Sequence, residues 1–521
     1  YVDVNKAFNG GFIKLRSFDT GEEKQENNVG FSVRPLKLQL GANYISVNLA
    51  EWYQNNTIST TGQIDLKTIN RMNIYIDSIP KDQGIDFTMT LADICLVDTT
   101  RETAPRVAAP SEGMQSMDKI VYSVNAVELG ADKTGERDST SAIQNAIQKV
   151  TNGGVVFLPA GRYKVNGTLR IPAGVTLRGE WLNPEQGGLG KGTILMAYAG
   201  RGNDNPTDGA FISISSGACL RDISVWYPEQ EAADPTPYPA TIYGNGHTDV
   251  INVTLYNSYY GFYNNSCSSM LIRQLYGTVL YRGIHGAYAY DIPRIENVHF
   301  DTKYWAESGL NGAPSGEALS ALNTYAESNL VAIQAGEQDW GYWYDLNINH
   351  AKYGILLTAV LNDENKKKIV PGNIAAGKVT TRHTKIGVYM ENVGYPGFQL
   401  TYSDLETSEY GMYYAPRPDY SDLEDQYEFE TNGIKYYENA TIVVSATSFK
   451  GGKASFYSDK SGGYGVNFND CTFADWSQAA IRLNDGSLTV SNSQFNTNKI
   501  PLSFTQNVKQ AVLVGNRFAS A

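Results

Sequence analysis

The sequence predicts an all-β protein: a right-handed parallel β-helix preceded by an antiparallel, jelly-roll-like β-sandwich. Three observations predict it. One short phrase recurs from Thr241 to Phe504: a small residue, an apolar one, then a large polar or aromatic one. Its apolar members are Ile242, Phe262, Ile284, Ile333, Ile355, Val388, Met412, Ile434, Phe456, Ile481 and Leu502, spaced 20, 22, 49, 22, 33, 24, 22, 22, 25 and 21 residues apart. A period near 22 with short alternating strands is that of a solenoid whose coils each hold three strands. The other two observations are a helix-then-strand segment ahead of the repeat and a different strand rhythm at the start of the chain.

That rhythm covers residues 1–98. It includes Tyr44-Ile45-Ser46-Val47-Asn48-Leu49, Asn73-Ile74-Tyr75-Ile76-Asp77 and a closing run from Phe87 to Leu96. Apolar alternation broken by turns is an antiparallel pattern. With its closing Leu91-Ala92-Asp93-Ile94, the segment resembles the jelly-roll carbohydrate-binding modules attached to bacterial glycosidases. Trp52 and Tyr53 are candidates for a sugar platform, or for core aromatics. Residues 99–116, rich in Thr, Ala, Pro and Ser, read as a linker. Residues 117–521 are assigned to the β-helix.

The β-helix opens at Gly130-Ala131-Asp132-Lys133-Thr134-Gly135-Glu136-Arg137-Asp138-Ser139. Asp138 or Ser139 is placed to cap a helix whose apolar face is Ala142, Ile143, Ala146 and Ile147. Such a helix plugs the solenoid's open end, and Gly153-Gly154 stops it before Val155-Val156-Phe157-Leu158 begins the first coil. Together with Ile171-Pro172-Ala173-Gly174-Val175-Thr176-Leu177-Arg178-Gly179, this resembles the opening segment of the pectate-lyase superfamily of right-handed β-helices, with Arg137-Asp138 in place of its usual paired Asp.

Side chains alternate in a strand, so the repeat fixes which residues share a face. If Phe262, Ile284, Ile333, Ile355, Val388 and Met412 point inward, then Tyr263, His285, Gln334, Leu356, Tyr389 and Tyr413 form one outward column. A second column reads Asn265, Ala287, Gly336, Thr358, Glu391 and Ala415. An aromatic and polar ribbon is a bed for an extended polymer, although Tyr is also a good strand former. Composition agrees with carbohydrate handling: the 521 residues include 35 Tyr, and only 18% are charged. A net charge of −12 without a basic run beyond Lys366-Lys367-Lys368 argues against a nucleic-acid partner. Cys95, Cys219, Cys267 and Cys471 lack CxxC spacing, and His247, His299, His350 and His383 lack metal spacing. No metal or cofactor is expected. No apolar run is long enough to span a membrane. Secretion or cell-surface display is expected, with any leader removed.

Insertions build the sites of solenoids, because the core period cannot change. Three are read here: Glu231–Pro239, Asp301–Asn329 and Asn362–Ala376. Carboxylates near them make Glu337, Asp339 and Glu391 the candidate catalytic residues. One of them is expected to act as general acid, walled by Trp340 and Trp305. The pieces Trp226-Tyr227-Pro228-Glu229-Gln230, Asp291 to Phe300, Tyr304-Trp305 and Asp339-Trp340 resemble the glycoside hydrolase family 55-like branch of the superfamily. The resemblance implies an inverting β-1,3-glucanase, with Gln230 beside Glu229 positioning water, and Asn257 or Ser258 one coil on. Tyr263, His285, Gln334, Tyr389, Tyr413, Trp305, Trp340, Gln230 and Glu229 are therefore expected to bind an oligo- or polysaccharide. A polysaccharide lyase and a non-catalytic glycan binder are the other readings on this fold.

Residues 1–98, expressed alone, are expected to fold. Circular dichroism and limited proteolysis of that fragment check this, and an unfolded, readily digested fragment contradicts it.

Overall fold

The computed structural model describes residues 105–519 except 115–116, 118, 151–152, 362–367, 370–371, 392, 395, 417–429, 432–433 and 436–439, and within residues 1–104 it describes strand backbones only. The chain divides into two compact units, Tyr1–Leu96 and Val97–Ala521. In the first, Thr57–Ile58, Val29–Leu38, Phe8–Ser17 and Ile69–Ile76 form an antiparallel sheet in that order. Gly41–Asn43, Val2–Val4 and Met89–Leu91 form another. Trp52 and Tyr53 lie outside the described residues.

Among the described residues, the second unit is built on a 27-stranded parallel sheet wound into a solenoid. Each coil has three faces. In Met270–Gly286, face A is 270–273, face B is 275–278 and face C is 282–286. The inward residues Phe262, Ile284, Ile333, Ile355, Val388 and Met412 are all buried and stack in register on face C. The expected outward column also stacks coil on coil, from Tyr263 through His285, Gln334, Leu356 and Tyr389 to Tyr413.

One repeat member was misplaced. Met412 pairs with Phe456 directly, while Glu430–Thr431 and Ile434–Lys435 pair antiparallel with each other. The 44-residue interval from Met412 to Phe456 thus spans one coil, not two. Arg482 continues the outward column opposite Tyr457.

Helix α1, Thr140–Lys149, buries Ile143, Ala146 and Ile147, packs against Val124–Asn125, Ala126–Leu129 and Leu169–Ile171, and closes the core. The Asp138 side chain accepts from the Thr140 N–H at 3.0 Å, while Ser139 Oγ accepts from the Asp132 N–H at 2.8 Å. Part of the expected linker belongs to the solenoid. Arg106–Ala108 pairs with Ile120–Tyr122, Arg106 bonds Glu128 through two nitrogens, and Ser111 bonds Glu180 twice.

The corner between faces A and B is made the same way in successive coils. Asp222, Asn252, Gln274, Asn297, Asp345, Lys378, Tyr402, Ala446, Asp470, Asn492 and Gly515 occupy equivalent register positions, each with φ between 48° and 68°. One left-handed residue turns the chain sharply while the pairing continues on both sides. For a residue with a Cβ this costs about 1–2 kcal/mol, least where a short polar side chain can bond locally. Replacing Ala446 with Gly is therefore expected to stabilise by about 0.5–1 kcal/mol, after glycine's greater unfolded-state freedom offsets part of the gain. Ala446→Val is expected to destabilise by about 1–2 kcal/mol. Urea unfolding of both variants checks the sign at this corner.

Candidate active-site groove

On face C the outward rings stack on one another. Tyr263 and His285 lie parallel within 8° at 4.3 Å, and Tyr353 and Tyr389 within 23° at 4.5 Å. Tyr410, Tyr413 and Tyr457 form a similar group, with the Arg482 guanidinium over Tyr457. The ring faces a sugar would cover are thus engaged within the protein. His285 and Leu356 are buried outright. Burial, reinforced by the Arg282 cation, lowers the His285 pKa to about 4.

The expected acids do not converge. Glu391 accepts from Thr358 Oγ1 in the second column, two coils from Gly336. Glu337 lies in the turn after Val331–Ala335, its carbonyl accepting from the Ala289 N–H at 3.2 Å. Asp339 is exposed, and Asn373 Nδ2 donates to it at 3.4 Å. Gln230 does not face a groove. Its amide oxygen accepts from the Glu231 and Thr236 N–H groups, and its nitrogen donates to the Thr236 carbonyl, so it staples the 231–239 insertion. Asn257 is spent likewise on both backbone groups of Tyr227, Ser258 is buried, and Glu229 is exposed. Trp305 is only 1% exposed and sits in the main core, so it cannot wall a site. Trp340, by contrast, is 55% exposed.

A denser constellation lies on face B. In-register pairing lines up Ser224, Thr254, Tyr276, His299, Asn347, Thr380 and Asp404 as its outward column. The loop 181–191 lies along the upstream part: Trp181 Nε1 donates to Thr254 Oγ1 at 2.8 Å, Asn183 Nδ2 to the Tyr276 hydroxyl at 3.1 Å, and the Gly190 N–H to the Tyr256 hydroxyl at 2.8 Å. The 301–329 insertion supplies the other wall. It begins with α2, Lys303–Ala306, whose first N–H is capped by Asp301 Oδ1 at 2.9 Å, and continues to α3, Gly316–Asn329.

Between these walls stands His299. Its Nδ1 is 3.3 Å from Glu185 Oε2, and its Nε2 is 3.7 Å from Asp345 Oδ1. Tyr304 donates to Glu185 Oε1 at 2.7 Å. Lys303 Nζ lies 3.7 Å from Glu185 and 4.0 Å from Asp301, and Lys378 Nζ bonds Asp345 at 2.8 Å. Burial pushes the Glu185 carboxyl up, but the Tyr304 hydrogen bond, His299 and Lys303 together outweigh it and hold Glu185 below its ordinary value. Glu185 is therefore a carboxylate near neutral pH. Asp301 is occupied as a cap, and Asn349 Nδ2 donates to its other oxygen at 2.9 Å. This leaves Glu185 and Asp345 flanking one imidazole. Upstream of Asp345, Tyr342 and Tyr344 begin an alternating outward run on face A of the same strand, and Trp340, just before that strand, is exposed as well.

Sequence reasoning missed Glu185 and Asp345 and treated His299 as solitary. The usable signal was the alternation His299-Phe300-Asp301 running straight into the longest insertion.

A family model described as rhamnogalacturonase A/epimerase, pectate lyase-like, matches residues 123–356. Over those residues the chain is similar to that family. No curated protein matches it. Among solved structures it is similar to PfbA, a surface adhesin of Streptococcus pneumoniae, at 13% identity over 76% of this chain and 91% of that chain, TM-score 0.46. It is also similar to an exopolygalacturonase from Thermotoga maritima, at 10% identity over 71% and 91% of the two chains, TM-score 0.44. A third is the A-module of the mannuronan C-5 epimerase AlgE6 from Azotobacter vinelandii, at 13% identity over 76% and 100%, TM-score 0.40. Likeness at this level carries no chemistry.

The low pKa of His285 has a measurable consequence. The folded imidazole stays neutral down to about pH 4, while the unfolded one protonates from 6.5. Protonation thus favours the unfolded state, and stability falls as pH drops from 6.5 towards 4, on the order of 3 kcal/mol in all. His285→Gln is expected to flatten that part of the stability–pH curve, as measured by denaturant unfolding at several pH values.

Proposed function

We propose that this protein is a glycoside hydrolase acting on an oligo- or polysaccharide outside the cell, and that its chemistry occurs in the face B groove rather than on the tyrosine column. The observation that carries the reading is the convergence of Glu185 and Asp345 on the two nitrogens of His299, between the 181–191 loop and the 301–329 insertion. Hydrolysis of a glycosidic bond needs one carboxyl to protonate the leaving oxygen and another to activate water. Glu185, held as a carboxylate, suits the base, and Asp345 is the second carboxyl of the pair. This accords with the family 55-like resemblance while moving the acid away from Glu337, Asp339 and Glu391. Trp340, Tyr342 and Tyr344 extend the groove as sugar-stacking positions.

A neutral substrate fits better than a uronate. A lyase must neutralise the uronate carboxylate, but Lys303 and Lys378 are already paired with Glu185, Asp301 and Asp345.

Glu185→Gln and Asp345→Asn are each expected to lower kcat on the order of a hundredfold to ten-thousandfold with little change in binding, because proton transfer matters only in the transition state. Glu391→Gln should stay near wild type. A glycan panel read for reducing ends and for ultraviolet absorbance checks the reaction class. Absorbing, unsaturated products would establish a lyase, and near-normal turnover in both groove variants would sink this site.

A further inference from the structure

We propose that Glu327, His350 and His383 form a binding site for a divalent transition metal, with zinc the best fit. The two histidines lie in different coils, yet pairing of Asn349 with Arg382 and of Ala351 with Thr384 makes them register neighbours. Both adopt a left-handed backbone, with φ of 54° and 49°. The shared conformation aims both rings the same way, and they lie parallel within 7° at 4.7 Å. Glu327 comes from the last turns of α3, and its Oε1 sits 2.8 Å from His350 Nδ1. Donor atoms of all three residues fall within 4.8 Å of one another.

Two imidazoles and a carboxylate are the protein ligands of an open zinc site, whose remaining position takes water. Bonds of about 2.0–2.2 Å require the donors to close in by roughly 1 Å, which rotation of the exposed His383 ring supplies. Nitrogen ligands select zinc, cobalt, nickel or copper over calcium and magnesium, which prefer all-oxygen sets. The neighbouring cation, Arg382, is engaged by Asp404 and lies 3.8 Å from Glu406. The bound ion would join the end of the 301–329 insertion to two coils of the solenoid. Its function is to hold that wall in place, so it touches none of the groups around His299.

The test uses the full chain, stripped with a chelator and titrated with zinc alone or cobalt alone. Isothermal titration is expected to show one equivalent bound, cobalt to give ligand-field bands, and zinc to raise Tm. Outer-shell changes typically weaken metal sites about 10–100-fold, so His350→Ala and His383→Ala should each weaken binding on the order of a hundredfold or more. Glu327→Gln, which keeps the shape of a half-exposed side chain, should also weaken zinc and abolish the Tm rise. His247→Ala should change nothing. Circular dichroism confirms that each variant is folded. The proposal is overturned if no saturable single equivalent binds, or if binding and the Tm rise survive in the folded His350→Ala/His383→Ala double variant.

Discussion

The left-handed corner between faces A and B is the constraint on which the rest of the solenoid depends. It lets one strand run across two faces without surrendering its pairing, and it does so at the same register position from Asp222 to Gly515. A slip of one residue would turn every inward side chain outward, because strand periodicity is two. The corner fixes that phase. Asn and Asp tolerate the geometry best, and at Asp222 the corner is held across coils as well, its carboxylate accepting from Asn252 Nδ2 at 2.7 Å and from Arg178 and Arg221 at 3.0 Å. Lys378, Tyr402 and Ala446 have no such tolerance and are held there by their neighbours.

A fixed phase makes the three faces chemically distinct. Face C gathers rings that pack on one another, a stabilising use of aromatics that leaves only edges for a ligand. Face B gathers polar groups, and the walls over it come from segments outside the repeat. Gln230 and Trp305 satisfy the fold, whereas His299 is held off both neighbouring carboxylates at 3.3 and 3.7 Å, beyond tight hydrogen bonds.

Register was legible in the sequence because it follows from local alternation, and the column from Tyr263 to Tyr413 was read residue for residue. Ile434 was misread for the same reason: a short apolar phrase inside an excursion looks like a coil when only spacing is available. The groove was not legible. Glu185 belongs to a loop with no period, and its meeting with His299 and Asp345 depends on how that loop lies across Thr254 and Tyr276. His350 and His383 show the converse case. Their separation in sequence hides a coil lengthened by an insertion, so residues without metal spacing along the chain become adjacent across it.

Helix α1 covers one end of the core, and every later coil pairs with the coil before it. The chain therefore carries its own template in the order in which a ribosome delivers it. Once α1 and the Gly154–Phe157 strand are seated, each emerging coil meets a finished edge and needs to close only a loop of one coil's length, even though the finished sheet has 27 strands. A large parallel sheet is ordinarily slow to assemble because its partners are distant in sequence. Here the distance never grows, and assembly can proceed as polymerisation from one capped end.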